Sequence, residues 1–222
     1  MNFTNKTFVA SYSGGKDSIL ALQRAIKQGM RPLALVITYN TDMGRSWFHG
    51  VPEAVLQEVA ESLQIPVRLV RTSDRDYTEN FKQELMKQKE NGAQVCVFGD
   101  IDIEGHLKWG SDLCREVGLD PYFPLWQEPR ESLVQEFIAE GFTANITVVD
   151  SARLSAKHLG KVLSEETLQE IAREGADICG ENGEYHSFVS DGPIFARPIP
   201  FQFGEMVSQE AYRILPICKK DS

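Results

Sequence analysis

The feature that most limits how this chain can fold is an alternation, through its first half, of short β-branched apolar runs with amphipathic segments of helical period. Residues 7–11 read as a strand, and residues 17–28 as a helix in which Ile19, Leu22 and Ile26 share one face. Gly29 closes that helix. The next run, Pro32-Leu33-Ala34-Leu35-Val36-Ile37-Thr38, is apolar without alternation, as a strand covered on both faces must be. A helix over 52–63 with Pro52 at its start, a strand over 67–70, a helix over 77–91, a strand over 95–98 and a helix over 104–117 continue the rhythm. Four strand-then-helix units predict an α/β fold built on a doubly wound parallel sheet.

Beyond Pro121-Tyr122-Phe123-Pro124-Leu125-Trp126 the rhythm loosens. A helix over 131–140, a strand over 144–149, a helix over 164–174, a loop over 180–186 and a proline-rich, strand-like tail predict a smaller C-terminal α+β domain. We therefore expect two domains, 1–127 and 128–222.

Charge and cysteine usage narrow the partners. A formal net charge of −9, with Lys and Arg dispersed, repels a phosphate backbone over most of the surface, so nucleic acid is not an expected partner. The four cysteines, Cys96, Cys114, Cys179 and Cys218, contain no C-x-x-C pair, which argues for reduced thiols over a disulfide framework or a zinc knuckle. No apolar stretch has the length of a membrane helix, and the first residues lack the apolar core of a secretion signal. A soluble, cytoplasmic protein with no membrane partner is expected, and a homodimer is compatible with this composition.

Chemistry concentrates in Ser13-Gly14-Gly15-Lys16-Asp17-Ser18, immediately after the first strand and opening the first helix. Two glycines let a phosphate approach backbone N–H groups closely. The helix N-terminus adds unpaired donors and partial positive charge, the Ser13 and Ser18 hydroxyls add donors, and Lys16 adds a full charge. The string is not a Walker A loop, because Ala10 and Asp17 occupy the positions that would need Gly and Ser or Thr. An acidic residue inside an anion-binding loop makes sense when a cation accompanies the anion, which makes Asp17 a candidate ligand for Mg²⁺.

This string resembles the PP-loop of the ATP pyrophosphatase superfamily. That resemblance implies an adenine nucleotide alpha hydrolase-like, Rossmann-like fold, an ATP-binding domain over 1–127, and cleavage of ATP to AMP and pyrophosphate as a substrate oxygen is adenylated. Sulfur-transferring members generally carry a C-x-x-C pair, which this chain lacks, so nitrogen chemistry is favoured. A second motif, Gly180-Glu181-Asn182-Gly183-Glu184-Tyr185-His186-Ser187-Phe188-Val189, places two carboxylates and an imidazole in a glycine-containing loop ahead of a strand. Together with Gly99-Asp100-Ile101 and Pro124-Leu125-Trp126 it resembles the diphthine–ammonia ligase family, whose members amidate the carboxylate of diphthine, a modified histidine of elongation factor 2. The resemblance runs from Ser13 to Val189. Asn182 and Ser187 stand where many relatives have Gly and Thr, and Trp47-Phe48-His49-Gly50-Val51-Pro52 matches the family's loop only loosely.

What the resemblance implies is an amide-forming ligase using ATP and Mg²⁺, acting on a small-molecule or protein-borne carboxylate and ammonia. Elongation factor 2 would be the partner in an archaeal or eukaryotic source. ATP and pyrophosphate contacts fall to Ser11, Ser13, Gly14, Gly15, Lys16, Asp17, Ser18, Gly99 and Asp100. Catalytic roles fall to Lys16, Asp17, Glu184 and His186, and substrate contacts to His49, Glu181, Glu184 and Tyr185. Glu181 and Glu184 suit binding of cationic groups or acceptance of a proton from ammonium, with His186 assisting. His106 and His158 read as surface or capping residues, and Phe123 and Trp126 as adenine-pocket walls or packing. No transition-metal set is evident. Two other readings stay open: a nucleotide-sensing module like the universal stress proteins, and a tRNA-modifying member of the superfamily.

Overall fold

A computed structural model describes residues 3–47, 49–73 and 75–220, so Phe48 of the 47–52 loop and the first two residues lie outside it. In chain order the elements are β1 (Thr7–Ser11), α1 (Lys16–Lys27), β2 (Arg31–Asn40), β3 (Arg45–Ser46), α2 (Glu53–Leu63), β4 (Val67–Thr72), α3 (Tyr77–Glu90), β5 (Val95–Val97), α4 (Glu104–Val117) and β6 (Asp120–Tyr122). There follow α5 (Arg130–Ala139), β7 (Thr143–Asp150), α6 (Glu165–Arg173), β8 (Tyr185–Asp191), β9 (Phe201–Phe203), β10 (Val207–Gln209), β11 (Tyr212–Ile214) and β12 (Ile217–Lys219). They form two compact units, the first from Met1–Ser13, Asp17–Trp47 and Gln64–Glu128, the second from Gly14–Lys16, Phe48–Leu63 and Pro129–Ser222.

In the first unit β2 pairs in parallel with β4 on one edge and β1 on the other, β1 pairs with β5, and β5 with β6. The parallel order is therefore β4-β2-β1-β5-β6, and the short β3 folds back antiparallel on the end of β2. Phe8, Val9 and Ala10 of β1 and Val95, Cys96 and Val97 of β5 are all buried, which explains their unbroken apolar runs. Edge strand β4 instead exposes Arg68 and Arg71, charges that discourage further strand pairing. α3 and α4 contribute Phe81, Leu85, Leu113 and Cys114 to a core shared with Val9, Val36 and Cys96. Each large apolar side chain so buried contributes about 1.5–3 kcal/mol relative to exposure.

The chain leaves β1 toward β2 and β4 in one direction and reaches β5 and β6 in the other. The carboxyl ends of β1 and β5 thus flank the point where strand order reverses, the place at which ligands bind in such sheets. Strand β6 escapes a reading of sequence pattern because Pro121 lacks a backbone donor. It is tolerated here because β6 is an edge, paired only with β5.

The second unit contains an antiparallel sheet in the order β10-β11-β7-β8 and a separate β9–β12 ladder, with α5 and α6. Phe137 and Phe142 stack at 5.2 Å in its core, with Ile146, Phe188, Leu168 and Ile171 buried. Ser164 caps α6 by accepting the Thr167 N–H. The proline-rich tail returns to α2, where Lys219 and Arg197 each approach the buried Glu58 carboxylate at 2.7 Å and hold it below the usual carboxylate range. His158 departs from expectation: it is fully buried, not a surface or capping residue. Burial is tolerable because Glu174, at the end of α6, sits 3.0 Å from its Nε2. Among the described residues no helix is long and apolar enough to cross a membrane.

Candidate active site

In the first unit the carboxyl ends of β1 and β5 gather Ser11, Ser13, Asp17, Ser18, Gly99 and Asp100. Ser11 pairs with Val36 at the end of β1, and the Tyr12 N–H donates to the Val36 carbonyl at 3.0 Å, so the chain stays in register as it enters the loop. The Ser13 hydroxyl donates to Ser18 Oγ at 3.2 Å, tying the entry of the loop to the first turn of α1. Gly99 permits a close approach of backbone to backbone: a Cβ there would lie 2.9 Å from the Asp17 carbonyl carbon and oxygen and from the Ser18 nitrogen. The Asp100 carboxyl is pushed up by burial, with the charge of Asp17 adding to it, while the adjacent His106 acts in the opposite sense.

In the second unit, Gly14, Gly15 and Lys16 meet the acidic motif, and Gly14 and Gly15 lie against Val51 and His49. The Gly14 carbonyl accepts the Val189 N–H of β8 at 2.9 Å, and Gly14 adopts φ +91°, a left-handed conformation that favours glycine. A Cβ at Gly15 would lie 2.4 Å from His49 Cε1, so any larger residue there would have to displace the imidazole. Lys16 Nζ lies 3.8 Å from Glu181 Oε1 and 5.8 Å from the centroid of the Tyr185 ring. His49 and His186 meet edge to face at 5.1 Å. Lys16, His49, Glu181, Tyr185 and His186 are therefore neighbours.

Glu184 has a different place. Its carboxylate accepts the N–H groups of Asp177 and Asn182 at 3.3 and 3.0 Å and the Asn182 side-chain amide at 3.1 Å. The Tyr185 hydroxyl donates to the Ile178 carbonyl at 2.7 Å. Both groups fold the loop that presents Glu181.

His49 carries a pH signature. Burial above all, then the charges of His186 and Lys16, drive its pKa from 6.5 down to about 3, and a hydrogen bond with the Ser187 backbone offsets part of this. The fold thus holds His49 neutral, and only the unfolded chain takes up its proton between pH 6.5 and about 3. The contribution is complete above pH 6.5 and is lost progressively as pH falls through that window. Urea midpoints measured at stepped pH should fall steeply below pH 6.5 in the wild type and more shallowly in His49→Gln; equal slopes would refute this account.

Comparison with known proteins bears on this constellation. Residues 6–121 match the diphthamide synthase N-terminal domain and residues 129–220 the diphthamide synthase C-terminal domain. The chain belongs to the diphthamide synthase family. Curated relatives named diphthine–ammonia ligase include those of Mus musculus, 30% identical, and Rattus norvegicus, 29% identical. Each alignment covers 94% of this chain and 87% of the relative. The human diphthine–ammonia ligase is 27% identical over the same shares. A solved structure described as a predicted subunit of tRNA methyltransferase from Methanocaldococcus jannaschii aligns with TM-score 0.47 and 13% identity, over 87% of this chain and all of that one. Family membership makes this an ATP-dependent carbon–nitrogen ligase, and the nucleotide-sensing and tRNA-modifying alternatives fall away.

Within this diphthamide synthase fold several side chains go beyond the sequence reading. His106, taken as a surface or capping residue, is exposed but sits in the first turn of α4 with Nδ1 3.0 Å from Asp100 Oδ1. Arg130 bridges Asp177 at 2.6 Å and Asn182 Oδ1 at 3.0 Å, and so braces the acidic loop. Phe123 stacks on Phe98 at 4.9 Å and meets Trp126 at 6.3 Å. These rings end an aromatic row that runs through Trp109 and Tyr77 to Trp47.

Proposed function

We propose that this ligase adenylates the carboxylate of diphthine, or of an acid of the same kind, and aminates it with ammonia. The observation that carries this reading is the meeting of Lys16 with Glu181 at 3.8 Å, which sets a group suited to phosphate beside one suited to ammonium. The substrate carboxylate oxygen attacks the α phosphorus, the bond to the bridging oxygen breaks, and pyrophosphate leaves with the electron pair. Lys16 and the loop N–H groups stabilise that departing charge. The product is an acyl adenylate whose carbonyl no longer repels a nucleophile.

Glu181 then accepts one proton from ammonium, and the neutral ammonia so formed attacks the acyl carbon. The bond to AMP breaks with the electrons on the phosphate oxygen, a second proton passes to solvent, and the amide is complete. The edge-to-face packing of His49 and His186 beside the loop narrows the approach to an adenylate that must not be hydrolysed. Asp17 and Asp100, carboxylates near the carboxyl ends of β1 and β5, are the residues that would hold a hard divalent cation. Magnesium held there would supply further neutralisation of the phosphates.

The reading is tested by supplying ATP, ammonium and a diphthine-bearing acceptor and following the products. Stoichiometric AMP, pyrophosphate and amide are expected. Production of ADP and inorganic phosphate would overturn it.

A further inference from the structure

Lys16 is the loop's cationic side chain, yet only 7% of it is exposed, and Glu181 beside it is only 17% exposed. A buried ammonium needs a counter-charge close by, and so does a buried carboxylate. Glu181 answers the first need, with the Tyr185 ring on the same ammonium. Its position is not loose. Asp177 Oδ1 accepts the Cys179 N–H at 2.9 Å, the Asp177 carbonyl accepts the Gly180 N–H at 3.0 Å, and Glu184 accepts the Asn182 N–H at 3.0 Å. Backbone on both sides of Glu181 is thereby fixed, and Arg130 braces the same loop through Asp177 and Asn182.

Phosphates arriving at this loop bring several negative charges to the same lysine. Lys16 then gains stronger anionic partners, and Glu181 is left facing a polyanion in a poorly solvated place. That situation favours a small cation on Glu181. Resting on the function proposed above, we propose that Glu181 is an exchangeable counter-ion, pairing with Lys16 when no nucleotide is bound and passing to ammonium when nucleotide takes the lysine.

Two consequences follow from linkage. Nucleotide must displace Glu181 from Lys16, so the carboxylate opposes nucleotide binding when ammonium is absent. Ammonium and nucleotide each raise the other's affinity by one shared factor, so the ammonia site fills more readily once the phosphates are in place. An adenylate therefore forms with its nitrogen source already recruited.

The test uses the intact chain and an ATP analogue with a methylene group between the α and β phosphorus atoms, which binds but cannot be split there. Its dissociation constant is measured by calorimetry at fixed ionic strength, with ammonium chloride or sodium chloride as the salt. In sodium, Glu181→Gln should bind the analogue about 5-fold or more tightly than wild type. Glu181→Asp keeps the charge but withdraws it by one methylene, and it should also bind more tightly. If Glu181→Asp matches wild type, bulk repulsion explains the effect and the exchange is wrong. Ammonium should tighten binding to the wild type and leave Glu181→Gln unchanged, and an equal response from both overturns the second half of the exchange. Product assays on the same preparations separate the readings. Wild type that makes amide while Glu181→Gln gains no affinity rejects the exchange alone, whereas absent amide formation with the affinity pattern intact rejects the acid and ammonia assignment alone.

Discussion

Replacing Lys16 by alanine is expected to lower the rate of pyrophosphate release by about 10²–10³-fold, the usual cost of removing one group aimed at the charge that develops in a transition state. The ammonium is reached by Glu181 at 3.8 Å and by the Tyr185 ring at 5.8 Å, neither of which can take over a positive charge. Lys16→Arg should not restore the rate, because a planar guanidinium does not fit the place of a compact ammonium packed to 7% exposure. Truncation also leaves Glu181 without this partner, so the variant's melting temperature must be measured beside its rate. A folded Lys16→Ala protein that releases pyrophosphate at the wild-type rate would remove the loop from the mechanism.

Gly99→Ala is expected to be nearly as severe, for a steric reason. The new Cβ would lie 2.9 Å from the Asp17 carbonyl and from the Ser18 nitrogen, which are backbone atoms of the first turn of α1. A flexible side chain could swing aside, but this turn can yield only by moving the start of the helix. Such crowding destabilises by about 1–3 kcal/mol. Displacing the donors of Ser13 and Ser18 by even about 1 Å costs on the order of 10²-fold in rate. Gly105→Ala supplies the control, since a Cβ there meets nothing within 4 Å and α4 should accept it with a small gain in stability. Melting temperature and product formation for the two variants should diverge sharply. Similar values for both would show that Gly99 is not held by close approach.

Much of the parallel sheet was readable from residue pattern because burial on both faces removes polar residues from a strand. The run from Ala34 to Thr38 and the triplet Val95–Val97 announce themselves in this way. Edge strands announce themselves less. In β6, Asp120, Pro121 and Tyr122 are all half-buried and one of them lacks a donor, so neither apolarity nor β propensity marks the strand. The glycine loop of residues 13–18 was legible because its spacing and its place after β1 belong to local sequence. Pairings across a turn were not, and His106 reaches Asp100 only because the chain between them bends into α4. Nor can order of residues tell Glu181 from Glu184. They are alike in a list, yet Glu184 accepts three hydrogen bonds within its own loop while Glu181 meets the lysine.

The bond from the Val189 N–H to the Gly14 carbonyl gives experimenters a local gauge. Val189 is fully buried, so its amide proton exchanges with deuterated solvent only when that hydrogen bond opens. A single peptide from β8 should therefore report, in solution and without turnover, how often the glycine turn comes undone. Saturating nucleotide should slow its deuterium uptake more than that of the remote β10 edge, and unchanged uptake would mean that the turn is already rigid before any ligand arrives.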